Sequence, residues 1–202
     1  MEENASTVQA YFNKFQEWSD KWGFKISKQK TTAIIFSNKH EPEQEINLKI
    51  KNEIIKFEST VKFLGAVFDK KLTWRAHIQY VINRCNKRMN LLRAVSGTDW
   101  GADKRTLIII YRALIRSVVD YGSIAYDSAS KTTKKLLDQI QSKALRICCG
   151  AMMMTPIAAM QVDCGETSLE RRRSELQFQY RAKLQASSEN PTKAIIKDCW
   201  QN

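Results

Sequence analysis

The fold turns on the stretch Leu72-Thr73-Trp74-Arg75-Ala76-His77-Ile78-Gln79-Tyr80-Val81-Ile82-Asn83-Arg84-Cys85-Asn86-Lys87-Arg88-Met89-Asn90-Leu91-Leu92-Arg93-Ala94-Val95. Leu72, Ile78, Val81, Ile82, Cys85, Met89 and Leu92 fall on one face of a helix running to about Val95, and Gly97 closes it. Residues 71–97 also carry six Lys or Arg and no Asp or Glu. The apolar period becomes helical at the point where the acidic residues disappear.

Upstream, Val8, Tyr11, Phe12, Phe15, Trp18 and Trp22 predict an amphipathic helix over residues 8–22, capped by Ser6 or Thr7 and ended by Gly23. The period then shortens. Phe24-Lys25-Ile26 alternates, and Thr31 to Phe36 is a β-branched apolar run. Leu48-Lys49-Ile50 and Ile54-Ile55-Lys56-Phe57 flank Lys51-Asn52-Glu53 as a hairpin, and Val61 to Phe68 is a strand interrupted by Gly65. Downstream, helices are expected over about Asp103–Tyr121 (Leu107, Ile110, Tyr111, Leu114 and Val118 inward) and Lys131–Cys149 (Leu136, Leu137, Ile140, Ala144 and Ile147 inward). A short one follows Thr155-Pro156, and another spans Ser168–Ala186 with Leu169, Leu176, Tyr180 and Leu184 on one side. The class is therefore α+β, a small, mostly antiparallel sheet with one helix followed by an all-α bundle. The divisions fall at 1–70, 71–186 and 187–202, the last a tail or the start of a linker.

The 202 residues hold 33 Lys or Arg against 21 Asp or Glu, a net charge of +12, and 43% hydrophobic residues, enough to bury a core. Ten of the twelve excess charges lie between residues 71 and 150. Such a concentration points to a polyanionic partner, with a solvated helix face as the alternative for any single helix. No apolar run approaches the ~20 residues of a membrane span, and the acidic start Met1-Glu2-Glu3 is no secretory signal. The five cysteines (Cys85, Cys148, Cys149, Cys164 and Cys199) form no C-x-x-C, and His40 and His77 stand far apart. Reduced, mostly buried thiols in an intracellular protein, nuclear or cytoplasmic, are expected, with no metal site. Phosphate-loop, dinucleotide and nucleophile-elbow motifs are absent from the sequence, and no two Asp are adjacent. Asp69 and Asp120 read as turn or cap residues.

At Ile26-Ser27-Lys28-Gln29-Lys30-Thr31, then Ile34-Ile35-Phe36-Ser37, the chain resembles the reverse transcriptase of non-LTR (LINE-type) retrotransposons. In that family an aromatic helix leads into Asn-x-x-Lys-Thr and a strand ending Phe-Ser. Lys30-Thr31 and Phe36-Ser37 match, and Ser27 stands where the family usually has Asn. Lys62-Phe63-Leu64-Gly65-Ala66-Val67-Phe68-Asp69 is similar to its Phe-Leu-Gly hairpin, and Leu72 to Ile78 to the entry of its thumb. Tyr111 to Gly122, Leu137 to Ile147 and Arg171-Arg172-Arg173 are similar to later thumb segments, in the family's order over nearly the whole chain.

The resemblance implies a C-terminal palm remnant plus thumb. The family's catalytic Asp and aromatic-x-Asp-Asp turn would lie upstream of residues 8–22. The chain is thus expected to be a fragment or degenerate copy of an RNA-directed DNA polymerase, inactive alone. It would hold no cofactor itself, although the full enzyme would use Mg2+. Lys30 resembles the palm lysine near the triphosphate, or is an ordinary exposed strand-edge lysine. Phe63, Leu64 and Gly65 resemble the hairpin that grips the primer end, with Gly65 allowing close backbone approach or a bulge; the alternative for Phe63 and Leu64 is core. Trp74, Arg75, His77, Arg84, Lys87 and Arg88, with a stripe of Lys134, Lys135 and Lys143, are candidates to sit against phosphates of RNA, DNA or their hybrid. Such binding would be weak and salt-dependent. The alternative is a helical protein-interaction module, or self-association through the exposed helix 8–22.

Overall fold

The structure is a computed structural model, and it describes residues 2–37, 47–51, 53–97, 99–187 and 190–193. Glu41, Glu43 and Glu45, His40, Asn52 and Cys199 lie outside these residues, as does most of the expected tail 187–202. The class is α+β, and the chain divides into two compact units, 1–76 and 77–202. Among the described residues no helix is long and apolar enough to cross a membrane.

In the first unit, α1 (Glu2–Lys21) starts earlier than expected, so Ser6 and Thr7 lie inside it rather than capping it. It ends in a left-handed Gly23 (φ +72°), with the Phe24 N–H donating back to the Ser19 carbonyl at 2.9 Å. That wrap leaves Phe24-Lys25-Ile26 irregular rather than a strand. Strands β1 (Thr32–Ala33) and β4 (Lys56–Phe57) pair in parallel. Strands β2 (Lys49–Ile50) and β3 (Glu53–Ile54) form the expected antiparallel hairpin, and β5 (Thr60–Phe63) and β6 (Ala66–Asp69) form another. The expected single sheet is therefore three two-stranded pairs. The run after Lys51 divides because Ile55 turns into the core, freeing Lys56 and Phe57 to pair with β1.

Leu48, Ile50 and Ile55 are the buried centre, with Phe12, Ile26, Ala33 and Phe57 against them. The outer edge of β2 is closed by α1 side chains. The Gln9 amide donates to the Lys49 carbonyl and accepts from the Lys49 N–H, both at 2.8 Å, and Gln16 accepts from Lys51 N–H at 3.0 Å. A primary amide offers a donor and an acceptor side by side, so Gln9 stands in for a neighbouring strand.

The second unit is helical. Helix α2 (Arg75–Ala94) buries Ile78, Val81, Cys85, Met89 and Leu92, close to expectation, although Leu72 precedes the helix and is exposed. The helix expected over 103–121 is α3 (Lys104–Tyr111), a π-helical turn (Arg112–Arg116) and α4 (Ser117–Asp120). The π turn inserts a residue and rotates the following face, so Ile115 is buried where Leu114 was expected. Helices α5 (Ser123–Tyr126), α6 (Lys131–Cys149), α7 (Ile157–Cys164) and α8 (Leu169–Ala186) complete it, α5 having no counterpart in the sequence reading. Side chains of Asp103, Ser130 and Ser168 cap α3, α6 and α8. Leu137, Ile140, Ala144, Leu145 and Cys148 of α6 and Leu169 and Leu184 of α8 are buried, while Leu136 and Tyr180 face solvent.

Candidate nucleic-acid interface

The β5–β6 hairpin turns in two residues. Leu64 (φ +46°) and Gly65 (φ +83°) are both left-handed, the geometry that matches strand twist. Phe63 and Leu64 are therefore displayed at the tip, Leu64 at 76% exposure, and are not core. Lys30 is exposed, but it closes a 3₁₀ turn (Lys28–Lys30) ahead of β1 instead of lying on a strand edge.

Asp69 ends β6 and fixes the loop after it. Its carboxylate accepts from Thr73 N–H (2.8 Å), Thr73 Oγ1 (2.9 Å) and Trp74 N–H (2.8 Å). Partial burial pushes its carboxyl up, but these hydrogen bonds outweigh that and hold it below the ordinary carboxylate range. They also hold Leu72 and Trp74 at positive φ, a costly state for residues with side chains. Trp74 is buried, its ring 5.3 Å from Phe68.

His77 is 1% exposed, with its ring 5.2 Å from Tyr126 and 6.4 Å from Tyr80. Burial lowers its pKa, since charging the imidazole would strand a cation in the interior. Trp74 and His77 thus leave the expected set of phosphate contacts and become packing residues: the loop held by Asp69 turns Trp74 onto Phe68, and the buried stripe of α2 carries His77 inward.

The cations sort by what holds them. Arg84 lies over the Tyr80 ring at 5.6 Å. Arg88 donates to the Leu114 carbonyl inside the π turn at 2.7 Å. Lys134 donates to Asp127, to its carbonyl at 2.6 Å and its carboxylate at 3.2 Å. The expected Lys134, Lys135, Lys143 stripe is thereby broken, with Lys134 turned into an internal contact. Lys135 and Lys143 stay exposed on one side of α6, about 12 Å apart along its axis at ~1.5 Å per residue. Lys87 and Arg75 are likewise exposed. Among the described residues, Lys87, Lys135 and Lys143 make no hydrogen bond or ion pair.

What the sequence reading missed is an internal ion network. Glu166, its side chain 2% exposed, accepts from Arg112 Nε (2.6 Å) and from Arg116 Nη1 at both oxygens (3.0 Å each). Asp120, expected as a cap, instead receives Arg172 Nε (3.1 Å) and Nη2 (3.0 Å). Asp127 gathers Lys134, Gln177 (2.7 Å) and Arg173 (3.4 Å). Apart from Lys134, seven residues from Asp127, the partners are some 50 residues apart, so no local pattern announces them; the Arg112/Arg116 pair at i,i+4 is the one available hint.

Burial pushes the Asp127 carboxyl up, but hydrogen bonds from Gln177 and Lys134 and the Lys134 and Arg173 charges outweigh it and leave it below the ordinary carboxylate range. A depressed carboxyl stabilises the fold above its unfolded pKa of about 3.9, and that stabilisation is lost as pH falls through the folded value. Asp127→Asn is expected to flatten the acid limb of unfolding free energy below about pH 4. An unchanged acid limb would show that the network carries no net stability.

The Mg2+ implied by the resemblance finds no fit in the two carboxylates that the sequence singles out. Asp69 is committed to Thr73 and Trp74, and Asp120 to Arg172.

Comparison with known proteins bears out the resemblance at the level of the family. The chain is 26% identical over 144 residues to the probable RNA-directed DNA polymerase from transposon BS of Drosophila melanogaster. It is 24% identical over 146 residues to the RNA-directed DNA polymerase from mobile element jockey of the same species. With the retrovirus-related Pol polyprotein from type-1 retrotransposable element R1 of Bradysia coprophila it shares 25% over 107 residues. These matches cover 71%, 72% and 53% of the chain but only 16%, 16% and 11% of the relatives. No family model matches the chain, and no solved structure does.

Proposed function

We propose that this chain, a relative of the RNA-directed DNA polymerases of non-LTR retrotransposons, is a template-primer-binding part of such an enzyme that supplies backbone contacts and not the chemical step. The observation that carries this reading is the sorting of cations. Arg88, Arg112, Arg116, Lys134, Arg172 and Arg173 are engaged inside the fold, whereas Lys87, Lys135 and Lys143 project into water. An ammonium on a flexible stem is a point charge suited to a phosphate of any sequence, so the binding is sequence-tolerant. In the first unit, taken by itself, the exposed Phe63-Leu64 tip is an apolar surface of the kind that stacks on a base or sugar.

Fluorescence anisotropy with a short RNA–DNA hybrid tests this. Three phosphate contacts give a slope of log K against log salt of roughly −2 to −3, and Lys87→Ala, Lys135→Ala and Lys143→Ala together are expected to remove most of it. A wild-type slope of zero, or one untouched by the triple variant, would sink the proposal. Primer extension by the isolated chain is expected to give no incorporation.

A second reading has its own support in α1. Tyr11, Phe15, Trp18 and Trp22 are exposed along it, with Phe15, Trp18 and Phe24 stacked in series at 5.9 and 5.5 Å. Such a surface favours self-association. Sedimentation showing a monomer at all concentrations would count against it.

A further inference from the structure

Helices α6 and α7 end alike. Cys149 closes α6 before Gly150 (φ +61°), and Asp163-Cys164 closes α7 before Gly165 (φ +60°). Both glycines are left-handed caps, so each helix stops with a thiol on its last turn. The two ends converge: the Sγ atoms of Cys149 and Cys164 and a carboxylate oxygen of Asp163 all lie within 4.8 Å of one another. Each helix C-terminus contributes roughly half a negative charge, so the place favours a cation. A cation already stands at its rim, because Lys104 Nζ donates to Asp163 Oδ1 at 2.5 Å. That hydrogen bond is the main reason the Lys104 ammonium is held more tightly than usual, with smaller contributions from the neighbouring thiols.

We propose that Cys149, Asp163 and Cys164 form a binding site for a thiophilic divalent cation, Zn2+ or its analogues, that clips the end of α6 to the end of α7. The chemistry fits in three respects. Two soft sulfurs with one oxygen form a set that selects zinc over magnesium or calcium. A tetrahedral ion with ~2.3 Å bonds to sulfur needs ligand atoms under about 4 Å apart, a small contraction from the observed spread. Two thiolates, one carboxylate, the Lys104 ammonium and a divalent ion sum to zero charge. Asp163 is exposed and Cys149 half-buried, which leaves an entry path and room for a water as fourth ligand.

Binding releases two protons, one from each thiol. Zinc competes with protons for the two sulfurs, so its affinity rises with pH.

The test is a Co2+ titration of the full chain with its thiols kept reduced, followed by displacement with Zn2+. One equivalent of cobalt with thiolate charge-transfer bands is expected, bleached by zinc. Cys149→Ser and Cys164→Ser are each expected to weaken zinc by more than the roughly 10–100-fold typical of losing an outer-shell partner, whereas Lys104→Met changes it only within that range. Cys85→Ser, whose thiol lies elsewhere against Ile115, is expected to bind as wild type. If a serine variant fails to fold, alkylation of wild-type Cys149 decides, and zinc should slow it. Absence of thiolate bands at about millimolar cobalt, metal retained by the Cys149→Ser/Cys164→Ser pair, or alkylation indifferent to zinc would overturn the site.

Discussion

Replacing Arg112 and Arg116 together by alanine is expected to destabilise the 77–202 unit by about 3–5 kcal/mol, the cost of leaving a buried charge without its partner. Glu166 is 2% exposed at its side chain, and both of its oxygens are occupied by the two guanidiniums. The arginines are themselves partly exposed, so removing the carboxylate instead costs less, about 1–3 kcal/mol. The decisive comparison is the triple variant that also carries Glu166→Ala. It is expected to be more stable than the double variant, since a cluster removed whole leaves no orphaned charge. Urea midpoints at constant slope measure each value. A triple variant no more stable than the double would mean that Glu166 is solvated in solution and the network is not a unit.

Tyr126→Ala is expected to cost about 4 kcal/mol, through the cavity left by a large aromatic side chain. The residue is fully buried, its ring rests 5.2 Å from His77, and its hydroxyl donates to the Val119 carbonyl at the end of α4. Burial also drives the phenol far above its ordinary pKa. Tyr126→Phe separates the two contributions: it keeps the ring and leaves the Val119 carbonyl unpaired, for an expected loss of about 1–2 kcal/mol. Thermal unfolding of the two variants checks this, and a phenylalanine variant as damaged as the alanine one would place the stability in the hydrogen bond and not in the packing.

The helical half was legible because its signal is local. Ile78, Val81, Cys85, Met89 and Leu92 repeat at helical spacing, and the same residues are buried. The start expected at Ser168 is likewise local, its side chain capping α8. The sheet half was less legible. A strand of two residues carries almost no alternation, and β4 pairs with β1 across more than twenty intervening positions. The π turn escaped notice because no residue type marks it, and it altered which apolar side chain points inward.

Sequence by itself determined the α+β class, the order of the elements, the kinship with retrotransposon polymerases and the stretch in which positive charge accumulates. Periodicity, capping and net charge are properties of neighbours along the chain, so they need no fold to be read. Only the tertiary structure decided which charges remain available. Arg112 and Arg116 look as free as Lys87 in the sequence, but Glu166 lies some fifty residues further along and folds back onto both. His77 looked like a ligand for phosphate and is instead packed on Tyr126, while Cys149 and Cys164 come within 4.8 Å of each other only where two helix ends meet. Burial and long-range pairing depend on through-space distance, and distance through space is what folding creates.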